Sequence, residues 1–184
     1  MRVDVRGRVP ADQIEVVWRL YNDAFDELRT TAVQRHVMIR DEFDDVMDDH
    51  RVAKYLGVDT DRGGRLCALA TLTNDLDAIA LISPDYFQRR WPVHFTENRI
   101  WYIGFVAIHP EYRSSGLFEM VVHELYRVVS ASQGIATMDF CRRNEEMYRL
   151  PHAIHRLLEG WAGLVRSDRM DEQSYWFYEF PTDP

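Results

Sequence analysis

Lysine is almost missing from this chain: Lys54 is the only one, and arginine supplies the rest of the 22 basic side chains. Those 22 are outnumbered by 30 acidic ones, which leaves a formal charge of −8. A charge of that sign argues against nonspecific binding to nucleic acid or to an anionic membrane, and it leaves room for a cationic substrate. Cysteine is scarce too. Cys67 and Cys141 sit in separate apolar, strand-like contexts, so they read as reduced core thiols rather than a disulfide, which points to the cytoplasm. No apolar run approaches the ~20 residues of a membrane span. The opening MRVDVRGRVP has none of the apolar core of a signal peptide. Gly-x-Ser-x-Gly, Walker and Rossmann patterns do not occur. His152 and His155 stand three apart with no acidic or cysteine partner at ligand spacing, so no metal is expected.

What the chain does have is a core. At 184 residues and 46% hydrophobic it predicts one domain over residues 1–184. Arg2 to Arg8 reads as a first strand ended by Pro10. Ala11 to Leu28 reads as a helix, because Ile14, Val17, Trp18, Tyr21, Phe25 and Leu28 form one apolar stripe. Arg40 to about His50 is a second helix and a very acidic one: a solvated face, or the border of a groove for an amine. Ala53 to Val58 and Leu66 to Leu72 are strands joined by a turn from Asp59 to Gly64. Asn74 to Asn98 is a long connection with a short helix that starts at Ser83-Pro84. Its aromatic residues wall either a pocket or a satellite apolar cluster.

The central stretch runs from Ile100 to Gly134. Ile100 to Ile108 is apolar throughout, as in a strand buried on both faces. Phe118, Val121, Val122, Leu125 and Val129 then recur at helical spacing, with Gly134 as the stop. Between them lies the turn Arg113-Ser114-Ser115-Gly116. It puts bare backbone N–H groups at a helix start beside a guanidinium, which is an arrangement suited to phosphate. Further strands are expected over Ile135 to Cys141, near Leu164 to Arg166 and over Ser174 to Phe180. A short helix runs from Pro151 to Leu158.

The order strand, His-Pro-Glu-Tyr-Arg, Ser-Ser-Gly, amphipathic helix resembles the acetyl-CoA-binding motif of the GCN5-related N-acetyltransferase (GNAT) superfamily. That motif is Gln/Arg-x-x-Gly-x-Gly/Ala, where Arg113 and Gly116 match and Phe118 departs from a small residue. The element order agrees along the whole chain. The resemblance implies an α/β fold with a GNAT-like mixed, mostly antiparallel sheet of about seven strands flanked by about four helices. It implies acetyl transfer from acetyl-CoA, or another acyl-CoA, to the amine of a small molecule by direct attack. The pantetheine arm would lie on Phe105, Val106, Ala107 and Ile108, with the Val106 N–H on the thioester oxygen. The diphosphate would sit on Ser114, Ser115, Gly116, Leu117 and Phe118 beside Arg113, and Asn144 would touch the arm. For the proton acceptor the matching region offers Tyr102 and Glu97, with His94 and His109 as alternatives. For the thiolate, Tyr148 is the nearest tyrosine, while alignment on Ala153 and Ile154 puts Leu157 or Leu158 there. Two rival readings remain. One is a longer-chain N-acyl synthase, whose acidic carrier protein would need Arg89, Arg90, Arg142 and Arg143 clustered on one face. The other is a non-catalytic acyl-CoA-binding module. No nucleic acid or membrane partner is expected, and a homodimer is left open.

Overall fold

A computed structural model describes residues 1–31 and 37–179. The strands are β1 (Arg2–Arg6), β2 (Ala53–Asp59), β3 (Arg65–Thr73), β4 (Ile100–Ile108) and β5 (Ile135–Thr137). The helices are α1 (Ile14–Phe25), α2 (Leu28–Thr31), α3 (Arg40–Asp48), α4 (Pro84–Arg90), α5 (Pro92–Thr96), α6 (Leu117–Ala131), α7 (Arg142–Glu146) and α8 (Leu150–Ala162). The five strands form one sheet in chain order, antiparallel except for β4 and β5, which α6 joins in parallel.

β2 and β3 are covered on both faces, which is why their sequences are apolar without alternation. On one face α1 and α3 lay Val17, Leu20, Tyr21, Phe43 and Met47 over Leu56, Leu69 and Ala107. On the other, α6 lays Leu117, Val121 and Leu125 over Ala68, Ala70, Leu72 and Ile103. Each fully buried side chain of this size contributes about 1.5–3 kcal/mol, so these two layers fix where β4 and α6 stand. The acidic face of α3 is an ion-paired surface: Arg40 binds Asp44 at 2.7 Å, and Arg8 approaches Asp48 at 3.5 Å. The connection from Asn74 to Asn98 buries its own cluster, Leu76 and Phe87 with Ile100 and Tyr102. Pro92 ends α4 and also starts α5.

Several expectations are corrected. The sheet has five strands among the described residues, not about seven, and eight helical segments replace about four. β5 stops at Thr137 instead of running to Cys141, and the polar stretch Arg142–Glu146 beyond it is the short helix α7. No strand forms near Leu164 to Arg166 or over 174–179, and Phe180 lies outside the described residues. β-Propensity alone makes no strand, because a strand is stabilised by cross-strand partners. With only three residues paired, β5 offers little ladder for more. α8 continues past Gly160, where nothing crowds the backbone, and ends at Gly163 with φ 79°. Gly134 is needed for space rather than for a left-handed turn: a Cβ there would lie 2.6 Å from the Arg99 carbonyl oxygen. The left-handed residue at that stop is Gln133, with φ 51°.

Candidate active site

The site begins with an irregularity in β4. Ala70 faces Val106 and Leu72 faces Ile103, so Gly104 and Phe105 together oppose Thr71. This is a bulge, and it bends the strand. β5 pairs with β4 only from Ile100 to Tyr102. Past the bulge the two strands separate, and that edge of β4 has no strand partner among the described residues. The His109 N–H donates to the Cys67 carbonyl at 2.9 Å, so His109 and Ala107 direct their peptide groups toward β3. The strand's alternation then turns those of Val106 and Ile108 toward the open side.

Beyond β4 the chain makes a 3-10 turn, Pro110–Tyr112. The Ser115 hydroxyl is tied to the Tyr112 carbonyl at 2.7 Å. Gly116 follows at φ 78° and leads into α6 with no side-chain cap; the first bond into the helix runs from Met120 N–H to Gly116 O at 3.1 Å. The amides just before Met120 are the donors a helix start leaves over. A Cβ at Gly116 would meet nothing within 4 Å, so the space above this entrance is open. Ser114 is exposed, whereas Leu117 points wholly into the core. Arg113 is exposed and reaches back to the Ala24 carbonyl at 3.1 Å.

Between the separated strands lies a cleft of about 980 Å³. Gly104, Phe105 and Val106 form one wall, Met138 to Cys141 and Asn144 the other, and Phe118 stands at the α6 end. Phe118 therefore shares the cleft while it packs on the α6 core. Ala107 is fully buried and Ile108 nearly so, and neither side chain lines the cleft; the peptide groups of Ala107 are turned to β3.

The structure does not bring the three candidate acid–base residues together. Tyr102 is buried, and its hydroxyl donates to Asp139 Oδ1 at 2.5 Å. Burial, then the Asp139 charge and this hydrogen bond, push the Tyr102 phenol far above its ordinary value. Glu97 ends α5 and pairs with Arg99. The hydroxyl of Tyr148 accepts from Arg143 at 3.0 Å, and the ring is 55% exposed. None of Tyr102, Glu97 and Tyr148 lines the cleft, whereas Leu158 and the Tyr102 partner Asp139 do. Sequence reasoning missed two residues. Gly104 was visible as a glycine inside an apolar strand, a sign of a bulge or close approach. Asp139, which lines the cleft, gave no such sign, because its place depends on β5 ending two residues earlier.

No family model matches the chain, and no curated protein sequence is significantly similar to it. Solved structures do match over nearly the whole length. The tetramutant of BH1408 protein from Bacillus halodurans is 13% identical, with 95% of this chain and 100% of that chain covered and a TM-score of 0.56. A ribosomal-protein-alanine N-acetyltransferase from Brucella melitensis biovar Abortus 2308 is 10% identical, with 97% and 100% covered and a TM-score of 0.55. AAC(6')-Iy, in complex with the bisubstrate analogue CoA-S-monomethyl-acetylneamine, is 13% identical, with 95% and 99% covered and a TM-score of 0.50. With its single parallel pair opening beyond a bulge and an uncapped helix start beside the opening, this chain has the fold of the GNAT N-acetyltransferases.

Proposed function

We propose that the protein is an acyl-CoA-dependent N-acyltransferase that moves an acetyl group from acetyl-CoA to the amine of a small molecule. The observation that carries this reading is the open edge of β4 running into an uncapped α6 start. The diphosphate lies on the amides from Ser114 to Phe118 with Arg113 beside it. The pantetheine arm takes the free peptide groups of Val106 and Ile108, and Asn144 contacts it from α7. The Val106 N–H polarises the thioester oxygen. The amine nitrogen then attacks the thioester carbon, the carbon–sulfur bond breaks, and sulfur leaves as the thiolate. The proton released by nitrogen passes through water, because Tyr102 is held as a donor to Asp139 and a phenol so raised is no base at neutral pH. With Leu158 on the cleft wall, the thiolate takes its proton from water as well.

A carrier-protein donor is disfavoured. Arg142 is paired with Glu146, Arg143 with Glu27, and Arg90 lies 3.6 Å from Asp168. These three arginines are matched by carboxylates instead of forming a bare basic patch. The paired-off Glu97 favours a second reading, a module that binds acyl-CoA without turnover.

One experiment separates the readings. Acetyl-CoA is titrated into the protein by thermal shift, and thiol release is then followed across a panel of small amines. Ligand-dependent stabilisation with turnover supports the transferase. Stabilisation without turnover on any amine supports the binding module, and no stabilisation by acetyl-CoA or CoA overturns both.

A further inference from the structure

The cleft does not end where an acetyl thioester would. Beyond the separated strands it continues along α6, where Val122, Leu125 and Val129 line it at helical spacing. Val122 to Val129 is seven residues, about 10 Å of helix. The facing wall is α8, with Ile154 and Leu158 one turn apart. The floor is the outer edge of β5, Ile135 and Ala136, which no strand covers among the described residues. Trp161 holds α8 at this distance, its ring 4.8 Å from His123 and 5.5 Å from Tyr126 of α6.

This second arm is poor in unsatisfied polar groups. His155 lines the cleft with both ring nitrogens occupied, Nε2 by Glu159 at 3.2 Å and Nδ1 by Ser167 at 3.1 Å. A polar acceptor placed between Val122, Val129, Ile154 and Leu158 would lose its water without replacement, whereas an aliphatic chain would gain. The whole cleft, about 980 Å³, is at the upper end for small-ligand cavities.

We propose that the arm between α6 and α8 binds the aliphatic chain of a medium-length acyl thioester, on the order of eight carbons for a 10 Å run. The inference rests on the acyltransferase reading and extends its donors from acetyl-CoA to acyl-CoA thioesters of medium length. The arm is continuous with the place where the thioester carbonyl meets Val106, so chain and reacting carbon lie in one cleft.

The test is a calorimetric titration of the full chain with free CoA, acetyl-CoA and octanoyl-CoA, for wild type, Ala136→Trp and Ser130→Trp. Ala136 is exposed on the floor of the arm and Ser130 is exposed at its far end, so a larger side chain at either leaves the core untouched. A buried methylene is worth about a fourfold change in affinity, so wild type should bind octanoyl-CoA at least tenfold tighter than acetyl-CoA. Both substitutions should remove that preference and leave acetyl-CoA affinity unchanged. Equal affinity for the two thioesters in wild type overturns the inference while the acyltransferase reading stands. A preference that survives both substitutions also overturns it, since the chain then binds elsewhere. Failure of all three ligands to bind overturns the acyltransferase reading itself.

Discussion

Gly104 lies against Thr71 so closely that a Cβ at position 104 would come within 2.6 Å of the Thr71 hydroxyl. Thr71 is buried and β-branched, with little freedom to turn away. The contact falls at the bulge that separates β4 from β5, so stability and ligand binding should fail together when it is crowded. Gly104→Ala is expected to cost about 1–3 kcal/mol in unfolding free energy, the range for overpacking a core. It should also weaken acetyl-CoA binding more than tenfold. Denaturant melts and ligand titration of the same sample test this, and an unchanged affinity at reduced stability would detach the bulge from the site.

The start of α6 makes a second, separable prediction. Arg113 is exposed and, among the described residues, bonds only the Ala24 carbonyl, so Arg113→Ala should leave the melting temperature nearly unchanged. It should weaken CoA binding about tenfold, as loss of one charge-assisted contact does, and the deficit should shrink in high salt. Gly116→Ala differs, because its φ of 78° strains any L side chain. That variant should lose about 1 kcal/mol of stability as well as affinity. A CoA titration at two salt concentrations reads both effects, and full affinity in both variants would remove the diphosphate from this turn.

Much of the fold and of the site is legible in the sequence, and the rest is not for definite reasons. Ile100 to Ile108 and Phe118 to Val129 declare themselves because periodicity reports burial directly. The anion-suited entrance at Gly116 is local chemistry, readable from four residues. The exposed aromatics of the C-terminal segment misled: Trp176 is 79% exposed and no strand forms there. Their β-propensity was real, but pairing depends on what stands alongside. The same holds for Tyr102 and Asp139, 37 residues apart. No window of sequence joins them; only the parallel crossover through α6 does.

That pair carries a prediction about alkaline pH. The Tyr102 phenol is raised in the folded protein by burial first and then by Asp139. The unfolded chain therefore ionises this tyrosine first, near its ordinary pKa of about 10. The stability Tyr102 contributes is complete below that value and is lost as pH climbs above it. Tyr102→Phe should cost about 1 kcal/mol at neutral pH and should soften the alkaline fall. Chemical denaturation of both proteins at a series of pH values decides it, and parallel curves would mean that the Tyr102–Asp139 bond has no part in alkaline unfolding.

The only lysine behaves in the opposite sense. Lys54 is fully buried on β2 and donates to the carbonyls of Gly7 at 2.9 Å and Asp49 at 2.6 Å, which ties the end of β1 to the end of α3. Burial brings its amine down to about 8, against the partial opposition of Asp49 and Asp48. Between pH 8 and the ordinary lysine value of about 10.4, the unfolded chain holds a proton that the folded protein has given up. Unfolding free energy from this group therefore rises across that interval, since stability rises wherever the unfolded state binds more protons. Lys54→Met strands both carbonyls and should cost about 1–3 kcal/mol at pH 7. Because wild type gains from its neutral amine and the variant has none, the gap between them should widen from pH 8 to 10. Differencing the two proteins cancels the tyrosines and Cys67, whose raised values pull the other way. A gap that stays flat or narrows over this range would mean that Lys54 remains charged in the folded state, held by the two carbonyls despite its burial.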